Sequence, residues 1–177
     1  MNIREAKEED AESIAILHAE SWRVAYRGML RDEFLDDDII QDRMNLWQQR
    51  LSAPKENQFT LVAQEGQELI GFACTFGRAD AVWGTLLDNL HVRTERKGQG
   101  IGRRLIKEVA LWADYQYPKS GLFLWVLEAN YPARRFYEKL GANYQEQEIW
   151  AAPGGGALTS LRYVWANLEP LLSIKDH

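Results

Sequence analysis

The chain lacks most features that place a protein at sight. It has a single cysteine, Cys74, so no internal disulfide can form. Its three histidines, His18, His91 and His177, stand far apart in sequence, with no metal-ligand spacing, so no metal is expected. No apolar run approaches the ~20 residues of a membrane span. The amino terminus turns acidic after a few residues and lacks the basic segment and apolar core of a signal peptide. Nor is positive charge in excess. Lys and Arg total 21 against 26 Asp and Glu, a net charge of −5, so no global field favours nucleic acid or an anionic membrane. Any anion must be held locally. The expectation is a cytoplasmic protein with neither nucleic-acid nor membrane partner.

What the chain does have is a core. At 177 residues and 46% hydrophobic it buries roughly 68–75% of the surface its unfolded form exposes, enough for one domain, expected over residues 1–177. Residues 2–5 read as a short strand. Glu8, Glu9 and Asp10 open a helix over about 8–27, whose stripe is Ala11, Ile14, His18, Trp22 and Tyr26. A second helix is expected over 32–51, on Phe34, Leu35, Ile39, Met44, Trp47 and Leu51, stopped by Pro54.

The period then shortens. Phe59 to Ala63 and Leu69 to Phe76 read as a hairpin, and Leu86 to Val92 as a third strand. Helical spacing returns from Ile101 to Trp112. Leu122 to Leu127 is a strand buried on both faces. A helix follows through Ala133, Phe136, Tyr137 and Leu140, with Gly141 as its stop, and strands near 143–150 and 159–167 flank the turn Pro153 to Gly156. The order β-α-α-β-β-β-α-β-α-β-β predicts a mixed α/β (α+β) domain. Its central sheet has six or seven strands flanked by helices, with antiparallel hairpins and a parallel crossover pair near residues 86–127.

Between a strand and a strongly periodic helix lies Arg96-Lys97-Gly98-Gln99-Gly100-Ile101-Gly102, where backbone N–H groups and a helix dipole can hold a phosphate. Arg96, Lys97, Arg103 and Arg104 reverse the local sign of an acidic protein, as a pyrophosphate would require. The spacing rejects two common phosphate loops. Arg103 replaces the third glycine of a dinucleotide fingerprint after Gly98 and Gly100, and Gly102 is not followed by the Lys-Ser/Thr pair of a triphosphate loop.

Leu90-His91-Val92, then Lys97-Gly98-Gln99-Gly100-Ile101-Gly102 opening an amphipathic helix, resembles the acetyl-coenzyme-A motif of the GNAT superfamily of N-acetyltransferases, Gln/Arg-x-x-Gly-x-Gly/Ala. Asn130 and the run Tyr137-Glu138-Lys139-Leu140-Gly141-Ala142 resemble the family's second motif. Lys97 stands for Gln or Arg, and Ala142 for the usual Phe; neither change removes a backbone donor. Ile3-Arg4 with Asp10, and Ser21 to Gly28, resemble bacterial members of unassigned acceptor.

The resemblance implies a GNAT-like sheet, acetyl-coenzyme A as cosubstrate, and direct transfer of acetyl to a primary amine of a small molecule, peptide or protein. It also implies a site. Leu90, His91 and Val92 would lie along the pantetheine arm, the backbones of Leu90 and Val92 pairing with it. Lys97, Gly98, Gln99, Gly100, Ile101, Gly102 and Arg103 would hold the pyrophosphate, Asn130 would bond the pantetheine, and Ala133 and Phe136 would complete the cofactor wall. Tyr137 matches the position of the proton donor to the leaving thiolate. Asp88 matches an acidic position that serves as base, with His91 and Glu128 as alternatives. Strand alternation cannot choose between Asp88 and His91 if the strand is bulged, as is usual in the family.

Trp22 and Tyr26 are candidates for the acceptor wall. The run Asp36-Asp37-Asp38 reads as a solvated helix face. Trp150, Tyr163 and Trp165 would either pair with a second subunit in a homodimer or close the core. A non-catalytic acyl-coenzyme-A sensor is the competing reading of the same turn.

Overall fold

The apolar periods assemble into one seven-stranded sheet. The computed structural model describes residues 1–175. In chain order its elements are β1 (Asn2–Glu5), α1 (Ala11–Ala25), α2 (Ile39–Ser52), β2 (Gln58–Glu65), β3 (Glu68–Asp80), β4 (Gly84–Val92), α3 (Ile101–Gln116), β5 (Leu122–Leu127), α4 (Tyr131–Lys139), β6 (Asn143–Ala151), β7 (Ala157–Trp165) and α5 (Glu169–Leu172). The strands lie in the order β1-β2-β3-β4-β5-β7-β6. Every neighbouring pair is antiparallel except β4 and β5. The expected architecture is present, including the parallel crossover.

Boundaries differ where local geometry overrides periodicity. Residues Glu8–Asp10 form a 3-10 turn, and α1 stops at Ala25 with Tyr26 as its cap. Asp10 is withheld from the helix because its carboxylate takes two hydrogen bonds from Arg4, at 2.7 and 2.8 Å, and one from the Lys7 N–H. The expected helix over 32–51 is present as one helical run from Asp32 to Ser52, but it widens into a π-helical turn at Phe34–Asp38 before the regular α2 that starts at Ile39. The last strand begins at Ala157 and ends at Trp165, two residues earlier at each end than expected.

One face of the sheet is covered by α3, α4 and α5. Leu105, Ile106, Val109, Leu122 and Trp165 are nearly or fully buried there, and each such Leu or Ile contributes about 1.5–3 kcal/mol. On the other face α1 and α2 bury Ile14, Trp47 and Phe72 against β2 and β3. A smaller apolar cluster joins Trp22, Phe34 and Leu35 to Ala152, so the end of α1 and the π-helical turn rest on the β6–β7 turn.

The feature that positions the site is a gap. β4 and β5 pair only at Thr85 with Leu122 and Leu86 with Phe123; beyond that β4 continues to Val92 and β5 to Leu127 without pairing. β4 is also bulged. Thr75 faces Leu87 and Cys74 faces Asn89, so Asp88 is an extra residue with no partner in β3. A bulge adds bend and twist, which turns β4 away from β5.

Candidate active site

On its β3 side β4 stays paired through Val92; on the other side the backbone from Leu87 to Val92 faces the gap unpaired. A bare strand edge can take an extended ligand by main-chain hydrogen bonds. At the open end of the gap lies a cleft of about 450 Å³. Its walls include Leu90 and Val92 of β4, the turn Lys97 to Arg103 except Gln99, and Asn130, Ala133, Phe136 and Tyr137 around α4.

The turn is shaped for an anion. Gly98 and Gly100 have φ of 82° and 80°, a left-handed conformation that side chains disfavour, and Gly100 caps α3. The first intrahelical bond runs from the Arg104 N–H to the Gly100 carbonyl, 3.1 Å. The amides of Ile101, Gly102 and Arg103 therefore have no helical acceptor and open, with the positive end of the helix dipole, at the cleft. Gly102 also sets the wall: a Cβ there would stand 3.4 Å from the Phe136 ring.

Three of the four cations expected around the turn, Lys97, Arg103 and Arg104, form no ion pair among the described residues. Arg96 lines the cleft but is drawn to Glu65, 2.5 Å away on β2, so it is partly neutralised. Gln99 is exposed and lies on a shallow neighbouring depression with Arg104 and Lys175.

Asn130 lines the cleft and also caps α4, its Oδ1 accepting from the Ala133 N–H at 3.4 Å. An Asn before Tyr131-Pro132 is a readable N-cap signal, and it fixes which atom remains for a ligand: the Nδ2 amide. Tyr137 packs edge-on against Phe136 and Trp165, and its hydroxyl has no hydrogen-bond partner among the described residues. Desolvation, reinforced by nearby Tyr26, raises the Tyr137 phenol well above its ordinary value. Tyr26 is pushed up to about 12 by burial.

The candidates for base separate. Asp88, on the bulge, is paired with Arg50 at 2.8 Å. The His91 ring is turned under α1, its Nδ1 2.8 Å from Ser21 Oγ, and desolvation with the charges of Lys97 and Arg43 lowers it to about 3. Its side chain does not line the cleft. Glu128 is exposed at the end of β5. Beside His91, His18 is fully buried. Its Nδ1 accepts from the Trp47 Nε1–H at 3.0 Å, and Nε2 has no partner.

Trp22 is nearly buried, edge-on to His18, Tyr26 and Trp150, with the Arg43 guanidinium 4.4 Å above its ring. It belongs to the apolar cluster with Phe34, Leu35 and Ala152, and neither Trp22 nor Tyr26 lines the cleft. Tyr163 and Trp165 close the core: the Tyr163 hydroxyl donates to Glu138 at 2.6 Å and Trp165 Nε1–H to the Leu140 carbonyl at 2.9 Å. Asp36 pairs with Arg27 at 2.6 Å on the exposed surface. Among the described residues no group of three or more His, Cys, Asp or Glu side chains could hold a metal; His177 lies outside them.

A splayed parallel pair with a glycine turn at its open end is a known arrangement, and the family profile "Acetyltransferase (GNAT) family" matches residues 5–142. The chain belongs to the GNAT family. As a member it is an acetyl-coenzyme-A-dependent N-acetyltransferase. It is 31% identical over 179 residues to the uncharacterized N-acetyltransferase YuaI of Bacillus subtilis, covering 98% of each chain. It is 34% identical to the thialysine N-epsilon-acetyltransferase of Bos taurus, over 84% of this chain and 88% of that one. The PaiA N-acetyltransferase of Thermoplasma acidophilum, crystallised with coenzyme A, shares the GNAT fold with a TM-score of 0.68 at 21% identity, over 93% and 98% of the two chains.

No helix among the described residues is long and apolar enough to cross a membrane. Sequence reasoning on the site omitted Ala25 and Pro132, which also line the cleft, and Arg50, the partner of Asp88.

Proposed function

We propose that this GNAT enzyme moves the acetyl group of acetyl-coenzyme A directly onto a primary amine bound in the gap between β4 and β5, with Tyr137 and Asp88 handling the protons. The observation that carries this reading is the unpaired β4 edge running from the Asp88 bulge to the glycine turn, with the free Tyr137 hydroxyl across it. Acetyl-coenzyme A supplies the acetyl group as a thioester. The amides at the start of α3, with Lys97 and Arg103, hold its diphosphate, and the β4 edge and Asn130 Nδ2 hold its arm.

An alkyl ammonium, with a pKa near ~10.4, must lose a proton before its nitrogen can attack. The Asp88 carboxylate binds the ammonium and receives that proton. As the C–N bond forms and the C–S bond breaks, Tyr137 gives its proton to the departing sulfur; the nitrogen's second proton passes to solvent, from which Tyr137 is reprotonated, and Asp88 releases the first, so one proton is set free for each thiol formed. The desolvation that keeps the phenol protonated also disfavours a bare thiolate in the same cleft, so donor and acceptor are matched by one environment.

Thermal unfolding with saturating acetyl-coenzyme A, and with NADH and ATP as controls, tests the ligand. At ~100 times its dissociation constant a ligand adds about 2.7 kcal/mol, a rise of roughly 5–10 °C at about 2–4 °C per kcal/mol. A rise with acetyl-coenzyme A alone supports the reading; a rise only with a nucleotide control removes it.

A further inference from the structure

The inner stripe of α2 carries charge where an apolar helix would carry none. Arg43, Trp47 and Arg50 follow one another at helical spacing, and both arginines are laid on aromatic rings. Arg43 is satisfied by its neighbour Asp42 through Nε and Nη2. Arg50 is different. All its side-chain hydrogen bonds use a single nitrogen: Nη1 donates to Asp88 Oδ2 at 2.8 Å and to Asn89 Oδ1 at 2.8 Å, with Cys74 Sγ at 4.0 Å. Nε and Nη2 have no partner among the described residues, and neither has Asp88 Oδ1. The two side chains are 20% and 30% exposed; Asp88 stands on the bulge where the gap begins, with Arg50 of α2 laid against it, and neither lines the cleft at the open end. Arg50 does not depend on Asp88 for its place. Its guanidinium rests 5.3 Å from the ring centres of Trp47 and Phe76, and Asn89 holds the same nitrogen.

A partly exposed ion pair with an open donor on one member and an open acceptor on the other presents a dipole, and its complement is a dipole of the opposite sense. We propose that the acceptor is a free α-amino acid: its ammonium docks on Asp88 Oδ1 and its carboxylate on Arg50 Nη2. This rests on the acetyl-transfer reading above and narrows its amine. The α-amino and α-carboxylate groups are separated by one carbon, which matches two protein charges in direct contact. Charge-assisted bonds at both ends are the strong kind, and a guanidinium fork suits a carboxylate better than an ammonium would. A polyamine or an internal lysine side chain brings no carboxylate and leaves Arg50 unanswered. A long ω-amino acid has both groups at the wrong separation. The acceptor nitrogen then sits against the residue that takes its proton.

The test is thiol release from acetyl-coenzyme A across the twenty common amino acids, their α-carboxamides, simple alkyl amines, polyamines and 6-aminohexanoate. The expected result is turnover of at least one free α-amino acid with kcat/KM about tenfold or more above its own amide, the ratio expected when one charged hydrogen bond is lost. Arg50→Met should bring that acid-to-amide ratio close to one, and Arg50→Lys should restore part of it; a ratio is insensitive to a general loss of folded enzyme. Equal use of acids and amides, preference for amines without a carboxylate, a ratio unchanged by Arg50→Met, or no amino acid turned over at all overturns the inference. The parent reading fails separately, if acetyl-coenzyme A does not bind or no amine of any class releases thiol.

Discussion

Arg50 Nη1 and Asp88 Oδ2 lie 2.8 Å apart although 38 residues separate them in sequence, and Asp88 is the residue that the β3–β4 ladder leaves over. Helix α2, the strand bulge and the gap between β4 and β5 thus meet at one carboxylate. Asp88→Asn keeps the shape and removes the carboxylate proposed to take the proton. Its kcat is expected to fall about 100-fold or more, within the range of a lost general base, while Glu128→Gln stays within a few-fold of wild type. Steady-state thiol release on the three proteins checks the assignment; the reverse order of effects would move the base to Glu128.

Gly100 caps α3 at φ 80°, and nothing stands within 4 Å of where its Cβ would be. Gly100→Ala therefore costs roughly 1–2 kcal/mol through backbone strain alone, and the displaced turn should weaken acetyl-coenzyme A binding at least several-fold. Gly66, at φ 61° in the β2–β3 turn with equally open surroundings, is the control. Gly66→Ala should lose similar stability and keep the affinity. Calorimetric titration and thermal melts on both variants separate turn strain from ligand contact.

Asn130 caps α4 through one atom and is proposed to bind coenzyme through the other. Asn130→Asp retains an oxygen for the Ala133 N–H, so the cap survives; it removes the Nδ2 donor and should lower coenzyme affinity. Asn130→Ala should lose both, with about 1 kcal/mol of stability gone. Equal affinities for wild type and Asn130→Asp would show that Asn130 serves only α4.

His18 and His91 are both held neutral below their ordinary value, by desolvation first, with neighbouring cations adding to it. Above pH ~6.5 they are neutral in both folded and unfolded chains and make no difference. As pH falls below that, the unfolded chain takes up protons that the folded one refuses, so stability drops by up to about 1.4 kcal/mol per pH unit for each histidine. For His91 the loss continues down to about pH 3. Asp10, lowered by Arg4, adds its own loss only near and below the ordinary carboxylate range. Urea titrations between pH 7 and 4.5 should show the decline, and His91→Asn should make it shallower. An unchanged slope would mean that His91 charges freely in the folded protein.

Much of the fold was legible because its periods are clean: Leu122 to Leu127 is apolar throughout, and Ile101, Leu105 and Val109 repeat on one side of α3. The glycine turn was legible for the same local reason. What stayed hidden depends on partners far along the chain. Arg43 and Arg50 look like surface residues of α2 until Trp22, Phe76 and Asp88 are brought beneath them. Arg96 looked like a phosphate ligand until the β2–β3 hairpin placed Glu65 beside it. The π-helical widening at Phe34–Asp38 follows a similar rule: Phe34 and Leu35 join the cluster with Trp22, which a helical stripe alone does not foresee. The Asn130 cap was present in the sequence as an Asn before Tyr131-Pro132 and needed no structure to be read.

Tyr137 is the proposed proton donor to the leaving sulfur in the gap between β4 and β5, and Tyr137→Phe isolates that role, because the ring and its packing on Trp165 remain. Binding of acetyl-coenzyme A by calorimetry and thiol release under saturating acetyl-coenzyme A should be measured together. The expected result is a dissociation constant within a few-fold of wild type and a kcat lower by about 100-fold or more. A variant that binds and turns over like wild type would contradict it.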